Sequence, residues 1–264
     1  MDINWAALGV FQTESDFYIY FAWFLFCNLA FTALFFAIKS VAPGIVSKID
    51  PKFANLKPKD KMEYYSRIVS NIHATAALVM TTVGIWFNCE DGGSIFSSDA
   101  CLMKPQKVQI YLVLMSSAYC LYDLYVCLFQ IKYSVKQGSD FIFHHVVGLA
   151  GAALSLILGR ANVALSSAAL MSEASNFAMN MRWFMLKHGK ADHKAFLPLS
   201  YTFMMCFFLS RVVFMLMIFV RNMQSHYIFD PRNQAPVLFY MQMINDVMLF
   251  ILYLLQLWWF YAII

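Results

Sequence analysis

The chain has 264 residues, of which 61% are hydrophobic and 13% charged, with mean hydropathy +0.61 and a formal net charge of +4. Soluble domains run nearer about 25% charged, so this is an integral membrane protein with most of its length in lipid. The charge is too small and too dispersed for nucleic acid, and the 17 methionines and 26 phenylalanines read as plastic apolar packing against lipid. Met1–Asp16 lacks a basic n-region and carries Asp2, Glu14 and Asp16, so it is neither a secretory signal nor an Arg-rich transit peptide.

Seven apolar segments follow, at about 17–38, 68–87, 108–129, 141–158, 163–183, 198–220 and 237–264. Each lies near the ~20 residues that cross a ~30 Å hydrocarbon core as a helix rising ~1.5 Å per residue. The first is long enough to stay as an anchor. The longest polar connector, 39–67, contains Ala-Pro-Gly at 42–44 and Lys-Pro-Lys at 57–59, and Pro198 suits the first turn of the sixth helix. No repeat, low-complexity tract or soluble domain is present. The expected fold is all-α and polytopic, one structural unit, with residues 1–59 forming an N-terminal helix and basic connector and 60–264 the main domain.

Loop charge sets the orientation. The connectors 39–67, 130–140 and 184–197 hold Lys39, Lys48, Lys52, Lys57, Lys59, Lys61, Arg67, Lys132, Lys136, Lys187, Lys190 and Lys194. The opposite side holds only Lys104, Lys107, Arg160, Arg221 and Arg232. The positive-inside rule therefore places the first set in the cytoplasm or its equivalent, the N-terminus outside and the C-terminus inside. Cys89 and Cys101 share an outer loop, where a disulfide or two free thiols both fit. Cys27, Cys120, Cys127 and Cys206 fall in apolar runs and act as small hydrophobes.

Polar residues inside these spans are costly, about 2.5–3.5 kcal/mol for one charge at a helix centre. His73 lies six residues into the second span and Asp123 six short of the inner end of the third. His144 and His145 open the fourth, while Asn176, Asn180 and Arg182 mark the inner end of the fifth. Four helices thus place ionisable or amide groups within the inner third of the bilayer, where they can satisfy one another. Periodicity agrees. Gln109, Ser116, Asp123 and Gln130, with Tyr119, share one face of the third helix. Ser166, Glu173, Asn176 and Asn180 share one face of the fifth, and Ser70, His73, Ala77, Thr81 and Gly84 form a small or polar stripe on the second. The stripes are expected to face a shared polar cleft.

The order Ser66-Arg67-Ile-Val-Ser70-Asn-Ile-His73, Ala118-Tyr119-Cys-Leu-Tyr-Asp123, Phe143-His144-His145, Glu173-Ala-Ser175-Asn176-Phe-Ala-Met-Asn180-Met-Arg182-Trp183-Phe184 and Ser210-Arg211 resembles the TLC-domain family, over about residues 60–264. That family includes the ceramide synthases and several multi-pass proteins without settled chemistry. In ceramide synthases the paired histidines belong to the motif tied to acyl transfer from acyl-CoA, with an acidic pair in the next helix. His144 and His145 match the first part; Glu173, Asn176 and Asn180 stand where the acidic pair is expected. The resemblance implies an endoplasmic reticulum membrane, with the mitochondrial inner membrane or another organelle as alternative, and no retrieval signal follows Ile264.

Two classes of function are carried forward. In the first, the protein handles membrane lipid or fatty acyl chains, and acyl-CoA or a phospholipid is substrate or ligand. His144 and His145 then act as general base or acyl acceptor with Asp123 fixing the tautomer, the candidate catalytic set. His73, Tyr119, Glu173, Asn176, Asn180, Arg182 and Arg211 are the candidate lipid- or phosphate-binding set. Arg182 offers a planar fork to phosphate, or snorkels at a helix end; Arg211, near mid-membrane, needs Glu173 or Asp246 as counter-charge. No metal and no resident cofactor are expected. His73, His144 and Asp123 lack a short ligand spacing. In the second class, the chain is a non-catalytic subunit of a larger membrane assembly, motivated by the missing acidic pair. A transporter or receptor ranks third.

Overall fold

The structure is a computed structural model describing residues 9–49, 51–87, 89–133, 135–228 and 236–264. Asp2, the Lys136 side chain and Arg232, which entered the sequence reading, lie outside the described parts. The helices are α1 (Glu14–Ile49), α2 (Pro58–Trp86), the short α3 (Asp99–Met103), α4 (Lys107–Tyr125), α5 (Val135–Leu158), α6 (Arg160–Ala169), α7 (Ala174–Lys187), α8 (Phe196–Phe207), α9 (Phe214–Ile228) and α10 (Pro236–Ile263). A 3-10 turn, Pro51–Asn55, links α1 to α2, and three further irregular turns lie within the bundle. A π-helical turn, Val126–Ile131, extends α4; a second, Phe208–Val213, joins α8 to α9; a 3-10 turn, Leu170–Glu173, joins α6 to α7. There is no strand among the described residues.

Among the described residues, six stretches are long and apolar enough to cross a membrane: Glu14–Ile49, Pro58–Trp86, Lys107–Ile131, Gly138–Leu158, Phe196–Ile228 and Pro236–Ile263. The remaining expected span, 163–183, is built as α6, the 3-10 turn and α7. It runs antiparallel to α2 over most of that helix. Lys187 Nζ meets Asp60 Oδ1 at 2.7 Å, Asn180 Nδ2 donates to Asn71 Oδ1 at 2.8 Å, and Thr81 Oγ1 donates to the Ser167 carbonyl at 3.2 Å. Its low apolarity follows from the serines, amides and Glu173 that it turns inward.

Local chemistry explains the boundaries. Pro58 opens α2, where a missing N–H costs nothing, and Asp60 complements the helix dipole. Gln106 and Gln109 form a reciprocal capping box at the start of α4. One boundary departs from expectation. Ala42-Pro43-Gly44, read as connector, lies within α1, because a single proline frees only the carbonyl one turn before it.

Helices do not gain hydrophobic energy by leaving lipid for one another, so close approach and hydrogen bonds must hold the bundle. The stripe on α2 serves that purpose. Ala77 and Thr81 are fully buried, and a methyl added to Gly84 would stand 3.0 Å from Gln109 Cγ. Gln109 Nε2 in turn donates to the Gly84 carbonyl at 2.8 Å. Asn28 of α1 donates to the Ala118 carbonyl at 2.9 Å, fixing α1 against α4.

At the outer end, Cys89 and Cys101 form a disulfide, resolving the choice that the sequence leaves open. Arg221 pins this loop to α9 through Asp99 Oδ1 at 2.7 Å and the Ile95 carbonyl at 3.0 Å, with Ile95 and Leu102 buried beneath. Hydrogen bonds from Ser98 and the Gly93 N–H hold the Asp91 carboxyl in the same loop below its usual range. Gly9 and Gly159, both at positive φ, pack backbone to backbone where the Val10 N–H reaches the Leu156 carbonyl at 3.1 Å.

Candidate functional site

The heptad stripe of α4 meets α2 and α5 at Asp123. Ser66 Oγ donates to Asp123 Oδ1 at 3.0 Å, and His145 Nε2 lies 3.1 Å from Asp123 Oδ2. The other His145 nitrogen, Nδ1, faces the Phe141 carbonyl at 2.8 Å. A carbonyl and a carboxylate are both acceptors. Two N–H donors on the ring, or one donor and a protonated carboxyl, are therefore needed to satisfy the set. Asp123 is 4% and His145 5% exposed, so the pair is well shielded.

A second set crosses from α2 to α9. His73 stacks face to face on Tyr119, with centroids 3.9 Å apart, and its Nε2 meets Ser116 Oγ at 3.1 Å. His73 Nδ1 stands 3.5 Å from Glu173 Oε2, an electrostatic contact without hydrogen-bond alignment. Asn176 bridges carboxylate and guanidinium: its Nδ2 donates to Glu173 Oε2 at 2.6 Å, and its Oδ1 accepts from Arg211 Nη2 at 2.8 Å. Arg211 also donates to Ser175 Oγ, the Ser172 carbonyl and Gln256 Oε1, leaving one N–H on each of Nη1 and Nη2. The counter-charge for Arg211 is thus Glu173, acting through an amide. The alternative, Asp246, lies instead with His226 at 3.4 Å.

All three irregular turns within the bundle abut this centre. The 3-10 turn ends at Glu173, one π turn carries Arg211, and the other begins three residues past Asp123. Such turns rotate side chains away from the 3.6-residue schedule, and π turns recur at functional sites. They also explain Gln130, the last member of the α4 stripe. It leaves the centre to bond Tyr125 Oη and Lys39 Nζ.

His144 differs from its neighbour. Its ring lies 5.3 Å from Trp259, and Nδ1 is buried with no hydrogen-bond partner among the described residues. Both histidines line a cavity of about 850 Å³ walled by α2 and by α4 through α10. Its inner mouth is edged by Glu63, Arg67, Tyr133, Asp140 and Trp259, and its middle wall is apolar, including Leu165, Phe207, Met215 and Leu249. A side chain added at Gly148, on the α5 wall, would meet nothing within 4 Å.

His73, Tyr119, Asp123, His144, His145, Glu173, Asn176, Asn180 and Arg211 all line this one cavity. Asn180 closes its inner side by accepting from Arg67 Nη1 at 2.8 Å and donating to Asn71. Arg182 is not part of the lining. It donates to Ser200 Oγ at 3.1 Å with its guanidinium over the Phe196 ring, tying α7 to α8. His73, His144 and Asp123 do not converge; no group of three metal-binding side chains forms among the described residues.

The sequence reading names Ser66 and Arg67 in the family motif but gives them no role at the site, counting Arg67 as a loop charge, and it misses a second polar cluster at the outer end. There Asn162 and Gln242 exchange hydrogen bonds at 2.9 and 3.1 Å, Asn245 Nδ2 donates to Asn162 Oδ1 at 3.0 Å, and Asp246 accepts from Gln242 and Asn222. A signal for it exists. Glu173 and Asn162, Arg211 and Asn222, and Gln256 and Asn245 are each separated by the same spacing, three helical turns along one face.

The TLC domain family model matches residues 64–264. TLC domain-containing protein 4 of Homo sapiens is 29% identical over 173 residues, covering 64% of this chain and 62% of that relative. The chain therefore spans less than two thirds of the length of the human protein. No solved structure matches. With that match over most of its length, on a multi-pass helical bundle, the chain belongs to the TLC-domain family.

Proposed function

We propose that the protein binds a long-chain membrane amphiphile in this cavity, with the polar head at the His144–His145–Asp123 centre and the chain along the apolar middle, and thereby serves membrane lipid homeostasis. The observation that carries this reading is the cavity. It is largely apolar in its middle, ionisable at one end, and edged at that end by Tyr133, over which Lys59 stands. Its volume falls in the range of ligand sites, roughly 300–1,000 Å³. The family assignment supports a lipid-related role, and by the same resemblance the endoplasmic reticulum is the membrane to examine first.

The two histidines then divide the work. His145 has both nitrogens engaged and acts as a positioning and electrostatic element with Asp123. His144, with Nδ1 unpartnered, is the group that meets the ligand. In the enzymatic form of the proposal, His144 takes the proton of an attacking hydroxyl or amine. The acyl carbonyl bonds to that oxygen or nitrogen, and the CoA sulfur leaves with the proton that His144 returns. Arg211 and Asn176 stand by as donors for the carbonyl oxygen.

The test is native mass spectrometry of protein purified in mild detergent. Retention of an acyl-chain lipid by wild type, and its loss in Gly148→Leu, supports the proposal. Equal retention by both, or a lipid-free wild type, refutes it. Incubation with acyl-CoA and His144→Ala then separates a catalyst from a carrier, since only a catalyst loses product formation while still binding lipid.

A further inference from the structure

Lipid binding accounts for the inner end of the cavity but not for its outer end. A cavity shaped only for an alkyl chain would end in apolar side chains. This one ends in amides: Asn162, Asn222 and Asn245 all line it. They are 8%, 2% and 8% exposed, so they are not a solvated rim. Behind them stands Asp246, which is bonded to Gln242 and Asn222 and faces His226.

Most of these groups are committed to one another. Asn162 and Gln242 satisfy each other in both directions, and Asp246 Oδ1 accepts from both Gln242 and Asn222, with Oδ2 3.4 Å from His226 Nε2. Asn245 carries an underused acceptor on the cavity wall. Asn245 Oδ1 takes only a long 3.5 Å contact from Ser155 Oγ, whose closer partner is Ser166 at 2.7 Å. The same oxygen points toward the α5 wall, standing 4.0 Å from where a side chain on Gly151 would begin. Gly151 also lines the cavity, and no other atom beyond its own stretch of helix lies within 4 Å of that point.

Building on the lipid-binding proposal, we infer that the outer end is a second recognition site for a hydrogen-bond donor carried on the distal end of the chain. The ligand class is then a long-chain amphiphile that is polar at both ends, with a hydroxyl rather than a methyl at its far terminus. The fit in length is direct. Gln256 to Asn245, along the regular helix α10, spans three helical turns, about 16 Å. An extended chain advances roughly 1.2 Å per bond, so about 13 bonds separate the two polar ends. The fit in charge is equally specific. An acceptor backed by a carboxylate welcomes a hydroxyl and repels a second carboxylate, so a chain with a carboxylate at both ends is rejected.

The experiment measures binding to the full-length protein in detergent micelles by displacement of one fluorescent fatty acid. The competitors are tetradecanoic acid, 14-hydroxytetradecanoic acid and tetradecanedioic acid. The expected result is a tenfold or greater preference for the hydroxy acid over the plain acid, with the diacid weakest. In Asn245→Leu that preference falls to near unity while plain tetradecanoic acid binds as well as or better than in wild type. Equal binding of hydroxy and plain acids by wild type overturns the inference and leaves the lipid-binding proposal standing. Displacement by none of the three overturns both. Should Asn245→Leu fail to fold, Gly151→Val, which fills the space before Asn245 Oδ1, is expected to remove the same preference; a preference that survives it also overturns the inference.

Discussion

The bundle holds two polar centres about three helical turns apart, and they are built differently. The inner one gathers charged and titratable groups beside three irregular turns, two of which carry Glu173 and Arg211, and leaves His144 Nδ1 and the His73 Nδ1–Glu173 contact short of good hydrogen bonds. The outer one rests on regular α-helix, and its amides largely satisfy one another. Incomplete satisfaction in a buried centre costs stability, and a protein keeps such groups where a ligand completes them. Under the proposed function, the inner centre takes chemistry or head-group binding, and the outer one register and selection.

The comparison breaks most visibly at Arg211. It has four polar partners at the inner centre, so Arg211→Leu strands Asn176, Gln256 and the Glu173 carboxylate. We expect a loss of roughly 3–5 kcal/mol, read as a large drop in Tm in detergent, because removing one member of a buried charged set leaves the rest unpaired. A drop no larger than that of an outer amide variant contradicts the contrast. Asp123→Leu ranks next, at roughly 2–3 kcal/mol, since it leaves Ser66 Oγ and His145 Nε2 without their acceptor. Asp123→Asn keeps an acceptor for His145 and is expected to recover most of that stability without recovering function.

These inner residues were the part of the site most legible in the sequence. Asp123, His145 and His73 follow from a shared depth, counted in residues into each apolar run, and Glu173 from the periodicity of its stripe with Asn176 and Asn180. Their directions did not follow. Arg182 sits two residues from Asn180, yet it turns to Ser200, because α7 packs on α8 and that face is fixed by the hairpin between them. Arg67 was counted as a loop charge, yet it lies inside α2 with its guanidinium over Trp183, bonded to Glu63 and Asn180. The break at residues 170–173 and the two π turns shift the helical phase by part of a turn, and a pattern read at a constant period cannot register that. Membrane crossing, by contrast, depends only on length and apolarity, so the spans were legible almost everywhere. The exceptions are the run of α1 through Pro43 and the polar α6–α7 pass.

Smaller effects sharpen the comparison. Gln242→Leu at the outer centre is expected to cost about 1 kcal/mol, the usual worth of a hydrogen bond between membrane helices, measured by the same thermal assay. His144→Ala removes a ring whose buried Nδ1 bonds to nothing among the described residues, so its stability cost is expected to stay below about 1 kcal/mol while head-group binding or turnover is lost. If His144→Ala destabilises as much as Asp123→Leu, the assignment of His144 to the ligand is wrong. Arg182→Ala is expected to change Tm least, about 0.5 kcal/mol or less, and to leave ligand binding unchanged.

The most direct measurement is photo-crosslinking with a fatty acid carrying a diazirine at mid-chain, followed by peptide mapping of the full-length protein labelled in membranes. The account predicts labels on Leu165, Met215 and Leu249, the apolar wall between the two polar centres, and their disappearance in Gly148→Leu. Labels confined to outward residues such as Val79, Phe177 and Val247, unchanged by that substitution, would contradict it.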